Sequence, residues 1–146
     1  MGSLVSMRKQ MRSSLMRLYG IRKSIMCGLL LRWELNYDAA CFKDSSIGIG
    51  GVMRDHIGDI MAATCCNMLG SFKIDVAEAL AVRHTLLIAL EAGLNNVVLE
   101  VDNIKLFNYL SKGTSDFSNF GLIIKDIFIL LLFVCQWGGP CFGEVQ

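Results

Sequence analysis

DVAEALAVRHTLLIALEAG, residues 75–93, is followed one residue later by NNVVLEV, residues 95–101. The first segment reads as a helix. Val76, Ala79, Leu80, Leu86, Leu87 and Leu90 form an apolar stripe, and Gly93 is a natural stop. The second segment is rich in β-branched residues and reads as a strand. A strand–helix–strand passage of this length suits a parallel crossover.

Upstream the pattern is one of strands. LLRWELNYDAACF, from Leu30, reads as a long strand, and a loop through Lys43–Ser46 leads into IGIGGVMRD. His56–Asp59 reads as a turn before IMAATCCNML. Three strands on short connections predict an antiparallel meander. Downstream, Ile104–Leu110 reads as a short helix and Asn119 to Phe133 as a longer one. The order is βββ–α–β–α–α, which predicts a mixed α/β sheet covered by helices.

The bulk properties agree with one folded domain. The chain has 146 residues, is 53% hydrophobic and only 18% charged, enough to bury a core. Residues 1–32 hold seven of the fourteen basic residues and none of the thirteen acids. Leu4, Met7, Met11, Leu15, Leu18, Ile21, Ile25 and Leu29 recur there at helical spacing. Three readings of this leader stand open: a loosely helical arm without function, an organellar transit segment, or a contact for an anionic partner.

The six cysteines form no C-x-x-C pair and have no histidine cluster beside them, which disfavours a zinc site. The longest apolar run, Ile127 to Cys135, falls well short of the roughly twenty residues of a spanning helix. With no secretory pattern, the expected setting is intracellular: nucleus or cytoplasm, or an organelle by way of residues 1–32.

Three acids stand out by the elements they occupy. Asp38 lies within the first strand, Glu78 in the first turn of the helix, and Asp102 where the fourth strand gives way to a helix. If these elements pack side by side, the carboxylates must repel or share a cation. Each also has an ordinary explanation. Asp38 suits an edge or bulge, Glu78 completes a D-x-x-E capping box with Asp75, and Asp102 suits a helix N-cap. Gly48-Ile49-Gly50-Gly51 has no continuation into a helix, so close approach of another backbone or a ligand is its expected use.

Four motifs occur in order: LNYDAA (35–40), GIGGVMRD (48–55), VAEALA (76–81) and LEVDN (99–103). Together they resemble the ribonuclease H-like domains of plant proteins, which are similar to the ribonuclease H part of non-LTR retrotransposon polyproteins. The resemblance runs from about Trp33 to Phe133. It implies a five-stranded mixed sheet with the first three strands antiparallel. It also implies that Asp38, Glu78 and Asp102 hold two Mg²⁺ ions and that the RNA strand of an RNA–DNA hybrid is hydrolysed. Two such ions about 3.5–4 Å apart neutralise the phosphate, activate water and stabilise the leaving oxygen.

The family continues from the last helix into a fifth strand, a histidine-bearing loop and a helix with a fourth acid. Here VCQWGGPCFGEVQ stands instead, with no histidine after His84 and only Glu144 as a later acid. The expectation is therefore a sheet whose fifth strand and last helix are missing, with an open edge beside the fourth strand and a tail that looks truncated or frame-shifted. Residues 1–32 form a basic amphipathic leader, 33–134 the ribonuclease H-like domain and 135–146 a divergent tail. A rival reading is a non-catalytic nucleic-acid-binding or interaction remnant of such a domain.

Overall fold

The computed structural model describes residues 32–94, 96–134 and 142–144, the last three by backbone alone. The basic leader, apart from Arg32, lies outside the described residues. Three strands come first: β1 (Trp33–Cys41), β2 (Ser46–Arg54) and β3 (Ile60–Leu69). Helix α1 (Ile74–Glu91) crosses to β4 (Val97–Val101). Helices α2 (Ile104–Lys112) and α3 (Asn119–Val134) follow, then β5 (Phe142–Glu144).

The sheet order is β3-β2-β1-β4-β5. β1 pairs antiparallel with β2, and β2 with β3, as the meander reading expects. β1 and β4 are parallel, which the α1 crossover requires. The fifth strand, expected to be missing, is present as a three-residue stub paired parallel with β4 through Leu99–Phe142, Glu100–Gly143 and Val101–Glu144. So the backbone edge of β4 expected to lie open is covered. No further helix follows among the described residues.

Burial alternates along β1 and β2, so one face of each strand faces the core. Trp33, Leu35 and Tyr37 of β1 share that face, which α1 covers. α1 carries small side chains, Ala77, Ala79, Ala81 and Ala89, all fully buried. Gly51 of β2 marks a close approach: a Cβ there would lie 2.6 Å from Thr85 Cγ2 and 2.9 Å from Thr85 Cβ. α3 packs on α1 through Phe120, Ile123, Ile124, Ile127, Leu130, Leu131 and Val134, a helical stripe. No helix among the described residues is long and apolar enough to cross a membrane.

The stop expected at Gly93 is as read. Gly93 has φ 73°, its amide bonds Leu90 O at 3.0 Å, and the Leu94 amide bonds Ala89 O at 3.0 Å. Two of the orphan carbonyls at the helix end are thereby paired. The strands on the far side of the sheet leave an open trough of about 470 Å³. Gly48 and Gly50 floor it, and Asp38, Ala40, Cys65 and Asn67 are among its walls.

Candidate active site

Asp38 lies on β1, the central strand of the sheet, opposite Gly50 of β2. It is neither at an edge nor at a bulge, since the register irregularity of β2 falls at Met53/Arg54. Its Oδ1 accepts from the Ala39 amide at 2.9 Å. The β1–β4 ladder ends at the Leu35–Leu99 row. The same offset continues in side chains, where Asn36 Nδ2 donates to Glu100 Oε2. Carried two residues further, that register sets Asp38 level with Asp102, where the strands part.

The two ordinary explanations for Glu78 and Asp102 both fail. α1 begins at Ile74 with Lys73 in the N-cap position and no side-chain cap. Asp75 is therefore inside the helix, and Glu78 stands in its second turn, not its first. No capping box joins them. Asp75 instead accepts from Asn103 Nδ2 at 3.2 Å and pairs with Lys105 Nζ at 3.4 Å. The N-cap of α2 is Asn103, whose Oδ1 accepts the Leu106 amide at 3.0 Å. Asp102 stands one residue before it and caps no helix.

The electrostatics tie the acids together. Burial first, then the charges of Asp102, Asp38 and Asp75, raise the Glu78 carboxyl from its usual 4.5 to about 7. The ion pairs given by the described residues are Arg83–Asp126 and Lys105–Asp75, and neither neutralises Asp38, Glu78 or Asp102. Tyr37 sits beneath them. Its phenol is pushed far up by burial, then by the charges of Asp102 and Glu78.

Glu78 charged against Asp102 and Asp38, with oxygen-only donors, is a donor set whose chemistry fits a hard divalent cation such as Mg²⁺. As they stand, no three acidic, histidine or cysteine side chains among the described residues are close enough to clasp one ion. Binding therefore requires side-chain rotation. Glu144, the one acid of the tail, stands beside Val101 in the strand register. His84 Nε2 lies 2.8 Å from Thr64 Oγ1, and this hydrogen bond ties α1 to β3.

The raised Glu78 carboxyl makes stability depend on pH. The folded chain holds this proton more tightly than the unfolded one, so stability falls as pH rises from about 4.5 through 7. Without cation, Glu78 is expected to cost on the order of 1–2 kcal/mol between pH 4.5 and 8, solvent screening having reduced the full conversion. Thermal midpoints of the wild type and Glu78→Gln across that range check this. The Gln variant should lack most of the slope; equal slopes would refute the electrostatic account.

A mixed sheet in this order, with helices packed on it, is a ribonuclease H-like fold. Solved structures share it. The ribonuclease H1 of Halobacterium salinarum NRC-1 superposes with a TM-score of 0.68 at 18% identity, over 79% of this chain and 86% of that one. The N-terminal ribonuclease H domain of a Mycobacterium tuberculosis protein gives 0.67 at 14% identity, over 80% and 84%. A ribonuclease H1 isolated from compost, solved with an RNA/DNA hybrid, gives 0.60 at 19% identity, over 79% and 86%. At such identities the likeness is one of fold. No curated protein matches the chain in sequence. The sequence pattern of the reverse transcriptase-like family matches residues 36–133. The chain belongs to that family.

Sequence reasoning singled out the three acids as a candidate site. It missed Tyr37, because a tyrosine on the inward face of a strand reads as core. It also missed the Asn36–Glu100 pair, which depends on the β1–β4 register.

Proposed function

We propose that this chain binds an RNA–DNA hybrid and hydrolyses its RNA strand with Mg²⁺ held by Asp38, Glu78 and Asp102. The observation that carries this reading is the placement of the acids. The β1–β4 register, carried past its last paired row at Leu35–Leu99, brings Asp38 level with Asp102, Glu78 is charged against both, and neither Glu78 nor Asp102 serves as a helix cap. Bound Mg²⁺ would supply phosphate neutralisation and water activation. The chain's own part is to hold anionic oxygens around the ions and to offer a flat approach beside Asp38. The trough over Gly48 and Gly50 suits the shape-based reading of a hybrid, which relies on groove form and 2′-OH groups. A ribonuclease H1 of the same fold has been solved with an RNA/DNA hybrid, which supports this choice of partner.

The test is end-labelled hybrid incubated with full-length protein. Cutting of the RNA strand is expected with Mg²⁺, and not with EDTA or with duplex DNA. Hybrid binding without any cutting would favour the second reading, a non-catalytic nucleic-acid-binding remnant. That reading draws support from the separation of the three carboxylates.

Origin and setting belong to the same proposal. The four motifs fit a plant domain derived from a non-LTR retroelement. The setting inferred from the cysteines and leader is intracellular, in nucleus or cytoplasm, or in an organelle if residues 1–32 act as a transit segment.

A further inference from the structure

Tyr37 is the buried polar side chain beside the site to which the proposed reaction gives no part. It shares its face of β1 with Trp33 and Leu35 and is 8% exposed. Core packing accounts for its ring but not for its hydroxyl. Among the described residues, Tyr37 Oη is the buried side-chain polar atom that makes no hydrogen bond of good geometry. Leaving such a group unpaired costs ~1–3 kcal/mol. Phenylalanine would fill the same space without that cost.

The polar groups that face the hydroxyl belong to the site. They are the Asp102 and Glu78 carboxylates and the Asn103 backbone. Asp102 follows β4 directly and lies beyond the last paired row of β1 and β4. No ladder hydrogen bond fixes its direction there. A carboxylate has two oxygens and about four acceptor positions, so one oxygen can take a donor while the other faces a cation.

We infer that Tyr37 is a positioning residue for the cation site: its O–H donates to Asp102 when that carboxylate turns toward Asp38 and Glu78. The inference rests on the Mg²⁺ reading of the site. It explains why an unpaired hydroxyl lies buried beside the acids, and why the three carboxylates are near one another without yet meeting. Partners that orient a metal ligand in this way are typically worth about 10–100-fold in metal affinity.

The experiment compares full-length wild type, Tyr37→Phe, Asp102→Asn and the double variant. Mg²⁺ affinity is read by calorimetry and the cation-free thermal midpoint by circular dichroism. Tyr37→Phe is expected to melt at or above the wild-type temperature without cation, yet to bind Mg²⁺ about 10-fold more weakly. In the Asp102→Asn background the same change should have no further effect on Mg²⁺ affinity, since the acceptor is gone. Equal Mg²⁺ affinity of wild type and Tyr37→Phe would overturn the positioning role while leaving the cation site standing. A lowered cation-free midpoint with unchanged affinity would make the hydroxyl purely structural. Absence of Mg²⁺ binding in the wild type would overturn the site itself, and the Tyr37 role with it.

Discussion

Asp38→Asn is expected to lower Mg²⁺-dependent cutting of an RNA–DNA hybrid by roughly 10³-fold, about 4 kcal/mol of transition-state stabilisation. The substitution is nearly isosteric, and Asp38 is exposed on the central strand, so the fold should be kept. What changes is charge. Asparagine presents one neutral carbonyl oxygen and one N–H donor group where aspartate offers two anionic oxygens. A hard cation loses a ligand on the strand that faces both Asp102 and Glu78. A second consequence is independent of catalysis. Asp38 contributes to the raised Glu78 carboxyl, so Asp38→Asn should lower that carboxyl toward its ordinary value, and the pH-dependent loss of stability should become smaller and end at lower pH. Gel assay of the cleaved RNA and thermal melts across pH measure the two effects. Undiminished cutting by the Asn variant would remove Asp38 from the site.

Gly51→Val is expected to have the largest effect on folding, at least about 3 kcal/mol, or roughly 10 °C in the melting midpoint. Gly51 is buried where α1 crosses β2. The obstacle is Thr85, fully buried and pinned by its Oγ1 bond to Ala81 O at 2.8 Å. It cannot rotate away without giving up that bond. The helix must then lift, and Glu78 lies two turns earlier on the same helix. The folded fraction of this variant should therefore also bind Mg²⁺ more weakly than wild type. An unchanged midpoint would mean that α1 does not sit against Gly51 as described.

Local chemistry made much of this legible. The alternation in β1 and β2 and the glycine stop at Gly93 are short-range signals, and each element formed where it was read. The inward face of α1 was read less well. Apolar residues occupy most of its circumference, so periodicity alone set Leu87 among the core residues, although it is 39% exposed. The two capping readings failed for a related reason. Asp75 and Asp102 are good cap residues by type, but α1 starts two residues earlier and α2 one residue later than those types suggest. The tail misled by composition: Phe142–Glu144 has little strand character, and an unsatisfied β4 edge recruits it by backbone hydrogen bonds.

Sequence by itself determined the element order, the meander, the crossover helix and the identity of the three acids. These depend on local propensity and on patterns within a few residues. Tertiary structure decided how the acids stand to one another. Only the β1–β4 register sets Asp38 level with Asp102, and only the start of α1 frees Glu78 from a cap. Only packing buries the Tyr37 hydroxyl beside Asp102 and Glu78. Charge interactions and burial act through space between residues far apart in the chain, so no reading of neighbours along it could assign them.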